Sequence, residues 1–349
     1  MLSRSEFREL VDREISRQYD LQLGQAPSGA DSYTRLLVDL KEFILKGGKR
    51  NRPYLLYLGY VGWGGADVDS LVPIAACLEI MHNFLLIHDD IIDRDLIRYG
   101  GPNIEGQYRE RFAGKERGEK FAQDVALLAG DIAHLVAIDA LVTSAFTADQ
   151  KVMALRLVTE KILETSAGQI IDVLPYDEGV ETVEGTDITG MYALKTGGYS
   201  FVLPLLLGAT LAGVERSEEV LAFATPLGIA FQIGDDLIGT FGSTSSSGKP
   251  VDGDIREGKQ TVLYSMAKER MVGEDADLLS MLYGKRTASA EEIALLATRM
   301  EACGVRSEGE ALRDRYLDQA KVKLSALGLT EEAEKTLEVL AETIRSRVS

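Results

Sequence analysis

Apolar residues recur along nearly the whole chain at the three- and four-residue spacing of an α-helix, and runs alternating at a spacing of two are hard to find. The pattern predicts helices near residues 3–18, 31–46, 52–62, 69–97, 119–147, 149–173, 185–212, 217–240, 258–272, 289–303, 306–326 and 331–347, so the fold class expected is all-α. Ser289 followed by Glu292 has the spacing of a capping box at the start of one of them. Glycine pairs at 47–48, 64–65, 100–101 and 197–198 mark breaks, and residues 242–250, GSTSSSGKP, read as a flexible loop. No proline-rich or low-complexity linker divides the sequence, so residues 1–349 are expected to form a single domain. Residues 71–92 and 191–211 are apolar nearly all round, the pattern of central helices wrapped by others.

Composition narrows the chemistry. With 45% hydrophobic residues the chain can bury a large core, and a net charge of −17 argues against nucleic acid or an anionic membrane surface as partner. An anionic substrate would have to be bridged by a metal. Cys77 and Cys303 lie far apart in apolar helical contexts, which is no disulfide framework and suggests a reducing cytoplasm. The first residues are charged throughout. The longest greasy stretch, residues 201–214, is interrupted by Pro204, Gly208 and Gly213, so no transmembrane segment is expected.

Residues 85–95, LLIHDDIIDRD, begin as an apolar helix and then place Asp89, Asp90, Asp93 and Asp95 within seven positions. Asp89 and Asp93 fall about 40° apart on a helix and share one face, whereas Asp90 points about 100° away. Like charges at that spacing repel. Mg²⁺ suits them, because it takes one or two carboxylates and completes its shell with water and phosphate oxygens. A solvated helix end would explain one such pair. A second, FQIGDDLIG at residues 231–239, repeats the apolar turn and the adjacent aspartates. Were the two helices to face each other, Asp89 and Asp93 would oppose Asp235 across a cavity, and Mg²⁺ could clamp a diphosphate from both sides. The cations agree: GGKRNRP at 47–53 offers Lys49, Arg50 and Arg52 after a flexible double glycine, and LKTGG at 194–198 and GKPVDGDIREGK at 248–259 add Lys195, Thr196, Lys249 and Lys259.

Taken in order, GGKRNRP, HNFLLIHDDIIDRD, GQIID, KTGG, FQIGDD and GKP…DIREGK resemble the head-to-tail trans-isoprenyl diphosphate synthases, also called polyprenyl synthetases, over roughly residues 40–270. The resemblance implies the all-α isoprenoid synthase fold, a bundle of long helices around a deep central cavity, as a homodimer requiring Mg²⁺. It implies that Asp89 and Asp93 hold two Mg²⁺ ions on the allylic diphosphate with Asp90 in support, and that Asp235 holds a third. Arg98, Lys195 and Lys259 would grip that diphosphate, Lys249 and Gln232 would line its end of the pocket, and Thr196 would face the forming cation. Lys49, Arg52 and His82 match positions that bind isopentenyl diphosphate, while His88 is structural.

The resemblance implies that no nucleophilic serine or cysteine is needed, since the alkene of isopentenyl diphosphate would attack and the barrier would lie in ionising the allylic C–O bond. Metal and Lys/Arg charge on the departing pyrophosphate lower that barrier, and a dry cavity protects the cation from water. Phe84, five residues before Asp89 and about 7.5 Å along the helix, resembles the stop of geranylgeranyl (four-isoprene) synthases; Leu85 leaves out the nearer farnesyl block. Two positions depart from the family. Gly239 stands where its second cluster ends in aspartate, which removes a carboxylate unless water or Asp236 substitutes. Tyr99 follows Arg98 where the family has a second arginine for isopentenyl diphosphate; Tyr99 can still donate one hydrogen bond, and Arg94, Arg109 or Arg111 could compensate for the lost charge. The function expected is a short-chain prenyltransferase making geranylgeranyl diphosphate. The alternatives are a class I terpene cyclase, against which Lys49, Arg52 and His82 argue, and a non-catalytic subunit of a heteromeric synthase, against which the Asp89/Asp93 pair argues.

Overall fold

A computed structural model describes residues 1–173, 187–242 and 253–346. Their regular structure is helical apart from one two-stranded hairpin, so the all-α expectation holds. The chain groups into two compact units, residues 1–156 with 207–214, and residues 157–206 with 215–349.

The first unit contains α1 (Arg4–Gly24), α2 (Asp31–Lys46), α3 (Asn51–Gly62), α4 (Val68–Asp93), strands β1 (Ile97–Arg98) and β2 (Gly101–Pro102), α5 (Ile104–Arg111) and α6 (Gly118–Val142). The helix α7 (Ala148–Val173) begins in it. Asp67 caps α4 by accepting from the Ser70 amide at 3.1 Å, and the helix stops where Arg94 turns left-handed (φ 59°). That end comes four residues before the predicted one, because the chain reverses there into the hairpin, and Asp95 therefore leaves the helix. Tyr99 (φ 55°) and Gly100 (φ 71°) form its two-residue loop, both left-handed as a type I′ turn requires. The period-two search missed this hairpin because its strands are two residues long. α4 packs on α6, and α6 buries a line of small residues, Ala122, Ala126, Ala129, Ala133, Ala137 and Ala140. A side chain at Gly130 would strike the ring of His88, which places that histidine in the helix packing, with Nε2 at 3.2 Å from Leu127 O.

The second unit holds most of α7, then α8 (Ile188–Tyr192), a π-helical stretch (Ala193–Val202), the start of α9 (Leu203–Ala212), α10 (Ser217–Phe241) and α11 (Gly253–Glu257). It ends with α12 (Val262–Arg270), α13 (Glu274–Leu282), α14 (Ala290–Ala302), α15 (Val305–Leu324) and α16 (Glu331–Arg345). The predicted helix over 185–212 is continuous from residue 188 to 212 among the described residues, with its middle wound as a π-helix, and α5, α11 and α13 are short helices that the pattern did not register. Ser289 and Glu292 make both hydrogen bonds of the capping box, at 3.2 and 2.7 Å. The core here gathers Ile233 and Leu237 of α10 with Leu263, Leu282, Leu296 and Val305.

Among the described residues α4, α6 and α10 are long and apolar enough to cross a membrane by length and composition alone. A search for an unbroken greasy run passes them over, since each carries scattered charges. In α4, 67% of the apolar window is buried inside the protein; in α6 the figure is 44%.

Candidate active site

The four aspartates at the end of α4 divide according to what they touch. Asp90 is buried and accepts both Nε and Nη2 of Arg98, with Nε at 3.0 and 2.9 Å from its two oxygens, and Asn103 Nδ2 donates to it at 3.0 Å. Asn103 also holds the Asp95 carbonyl at 2.8 Å. Asp89 and Asp93 remain half-buried on another face, one turn apart. Among the described residues no three His, Cys, Asp or Glu side chains come together as a ready-made metal site. Two carboxylates without a third fit Mg²⁺, which keeps most of its shell for water and substrate oxygens, and do not fit a closed zinc or calcium cage.

The same unit carries a cluster of positive charge. Arg50, read from the sequence as a phosphate-facing cation, is instead 1% exposed and tied to Asp12 (2.7 Å), Glu79 (2.8 Å) and the carbonyls of Gly47 (2.6 Å) and Ile44 (2.8 Å). It anchors the turn from which exposed Lys49 and half-buried Arg52 project. His82 feels these charges. Its enclosure and then Arg52, Arg98 and Arg50 hold the imidazole well below the usual histidine range, so at neutral pH it is an uncharged hydrogen-bonding group. Phe84 stacks on His134 of α6 (4.8 Å between centroids) and meets His88 edge-on (4.9 Å). Two of the three arginines named as compensating for Tyr99 are engaged elsewhere. Arg111 is 3.1 Å from Asp39, and Arg109 is 2.9 Å from Glu105 and 3.6 Å from Glu119. Arg94 and Arg109 line a cleft of about 640 Å³ with Lys115, Arg117 and Lys120.

In the second unit glycines bring the remaining site residues together. Gly228 of α10 lies so close to Gly197 that any side chain there would strike the neighbouring backbone, and Gly168 of α7 admits the backbone of Lys195 in the same way. These contacts set the KTGG segment, which is π-helical, against both helices. Such widened turns recur at functional sites. Thr196 donates to Gln232 at 2.8 Å, and Lys195 reaches Asp172 at 2.6 Å. Lys259 lies 3.1 Å from Glu257. Asp235 stays half-buried on α10, while Asp236 is buried and accepts from Tyr192 and, at 3.0 Å, from Gln232. Burial and then the charge of Asp254 push Asp236 up to about 8. Lys249 lies outside the described residues.

Asp236 is turned toward Tyr192, so it does not replace the carboxylate missing at position 239. Asp254 is the carboxylate beside that position: a side chain at Gly239 would begin 2.5 Å from its Oδ2. The sequence reading missed Asp172, Tyr192 and Asp254. Asp172 and Asp254 lie inside the quoted GQIID and DIREGK stretches, whereas nothing in the sequence marks Tyr192. Gly239→Asp, the change that restores the family pattern, is expected to cost about 1–3 kcal/mol through crowding and like-charge contact with Asp254. Its melting temperature should fall and should recover when Asp254→Ala is added. A melting temperature equal to wild type would contradict the crowding.

The chain can now be set beside known proteins. It is 31% identical to the geranylgeranyl diphosphate synthase of Sulfolobus acidocaldarius (86% of this chain, 88% of that protein) and 32% identical to the geranylfarnesyl diphosphate synthase of Aeropyrum pernix (87% and 92%). A crystal structure of geranylgeranyl pyrophosphate synthase from Corynebacterium glutamicum, complexed with isoprenyl diphosphate and magnesium, superposes with a TM-score of 0.92 at 29% identity, over 99% of this chain and 100% of that one. The sequence model of the polyprenyl synthetase family matches residues 34–300. With the ordered acidic and basic motifs inside that span, the chain belongs to the polyprenyl synthetase family.

Proposed function

We propose that this protein condenses isopentenyl diphosphate head to tail with an allylic diphosphate in the presence of Mg²⁺, and that its product is geranylgeranyl diphosphate. Short-chain prenyl diphosphate synthesis follows from the family and from the relatives named for it. One observation carries the finer reading: Asp90 is consumed by Arg98 and Asn103, which leaves Asp89 and Asp93 as a carboxylate pair on one helical face with a geometry suited to Mg²⁺.

In this reading Asp89 and Asp93 would hold Mg²⁺ for the allylic diphosphate, two ions in all, and Asp235 would hold a third. Bound Mg²⁺ supplies Lewis-acid neutralisation of the charge that grows on departing pyrophosphate. Lys195 and Lys259 add fixed positive charge to the leaving group, and Lys195 is held for this by Asp172. Gln232 lines the same end, to which the family resemblance also assigns Lys249. Thr196, oriented by Gln232, presents its oxygen to the forming cation. Lys49, Arg52 and neutral His82 hold isopentenyl diphosphate so that its alkene meets the ionised carbon. Arg98 acts mainly by fixing Asp90, because two of its three nitrogens are committed to that carboxylate. Pyrophosphate takes the final proton, which spares a protein base.

The chain is proposed to act as a homodimer in the cytoplasm. Phe121, Leu128, Leu135 and Val142 form an exposed apolar row at seven-residue spacing on α6, a face suited to a second copy, and both cysteines are free thiols. Phe84 would set product length as the floor below Asp89, its ring braced by His134.

Incubating purified protein with Mg²⁺, labelled isopentenyl diphosphate and dimethylallyl, geranyl or farnesyl diphosphate should give linear geranylgeranyl diphosphate by chromatography. A cyclic hydrocarbon from one substrate would indicate a terpene cyclase instead, and product only after another chain is added would indicate a non-catalytic subunit. Phe84→Ala is expected to lengthen the product by at least one isoprene unit. An unchanged length would remove Phe84 as the floor.

A further inference from the structure

The loop that carries Lys49 and leads into Arg52, in the first turn of α3, is flexible by composition, yet it is clamped by its surroundings. Arg50 takes a left-handed backbone (φ 51°), and its guanidinium bonds the carbonyls of Ile44 and Gly47 from below. A side chain at Gly48 (φ 96°) would begin 2.6 Å from that guanidinium. From the other side comes Tyr99. Its ring lies directly on the Cα of Gly47, in the space a Cβ would need, and packs against Phe43 at 5.8 Å between centroids. The same hairpin touches the loop again where Lys46 Nζ covers Gly101.

Tyr99 reaches this position from the first place of a type I′ turn, where its left-handed backbone is disfavoured for a bulky residue and Asn, Asp or Gly is preferred. The ring is also largely enclosed, and its phenol is pushed up to about 12, by burial first and then by the Glu79 charge. A strained backbone, a ring seated on a glycine and an enclosed phenol among Arg50, Arg52 and Arg98 are not the features of an idle surface tyrosine.

We propose that Tyr99 is a positioning residue: its ring pins the 47–50 turn and thereby holds Lys49 and Arg52 in register for the diphosphate of isopentenyl diphosphate. The inference rests on the functional reading above. It assigns to packing what the sequence comparison expected of a second arginine's charge. An ordered pair of cations binds a diphosphate more tightly than the same pair on a loose turn, because the ordering cost has been met in folding. The ring carries the effect and the hydroxyl does not.

Tyr99→Phe and Tyr99→Leu test this in the full-length protein, with melting curves to confirm folding. Tyr99→Phe should match wild type. Tyr99→Leu should raise KM for isopentenyl diphosphate by roughly tenfold to a hundredfold, with kcat and the allylic KM within about twofold. Independently of activity, hydrogen exchange at the amides of residues 47–50 should quicken at least about tenfold in Tyr99→Leu and not in Tyr99→Phe. Unchanged exchange in Tyr99→Leu, or a KM rise as large in Tyr99→Phe, would overturn the proposal. Should Tyr99→Leu fail to fold, Gly47→Ala displaces the ring from the opposite side and is read by the same exchange measurement. A wild-type protein that does not turn over isopentenyl diphosphate would refute the functional reading, and the exchange result would still decide whether Tyr99 pins the turn.

Discussion

A buried carboxylate needs a partner of matched geometry, or it costs more than the fold can bear. At the end of α4 that partner is Arg98, which grips Asp90 from the hairpin following the helix, with Asn103 closing the remaining oxygen. Much follows from this one ion pair. It ends the helix at Asp93, folds the chain back through the Tyr99-Gly100 turn, and separates one aspartate that builds structure from two left on the same helical face. Like charges one helical turn apart repel, and a cation shared between them offsets that repulsion.

The second unit solves a parallel problem on α10. Asp236 is taken inward by Tyr192 and Gln232, and Asp235 is left half-buried. Glycine contacts replace the ion pair as the means of placement: Gly228 against Gly197 and Gly168 against Lys195 set the KTGG segment beside α10 and α7. In both acidic motifs the second aspartate of the adjacent pair is structural. The echo between LLIHDDIID and FQIGDDLIG therefore extends from sequence to the division of labour.

Much of this was legible in the chain. Helical periodicity found the long helices, and the i, i+4 spacing singled out Asp89 and Asp93, because both rest on local geometry that the residues alone determine. What escaped depends on contacts between distant segments. Arg50 looks like a substrate cation until Asp12 and Glu79 are seen to enclose it. Asp254 lies 15 positions beyond Gly239, and only folding brings its carboxylate beside that glycine. The winding of residues 193–202 into a π-helix leaves the apolar pattern almost unchanged, so periodicity cannot report it.

The central claim is that Asp89 and Asp93 grip a diphosphate only through Mg²⁺. Calorimetric titration of inorganic pyrophosphate into the wild-type protein and into Asp89→Asn/Asp93→Asn, each with and without Mg²⁺, tests it most directly. The account predicts Mg²⁺-dependent binding by wild type that weakens at least about tenfold in the double variant. Binding equally tight without Mg²⁺, or unaffected by loss of both carboxylates, would contradict it.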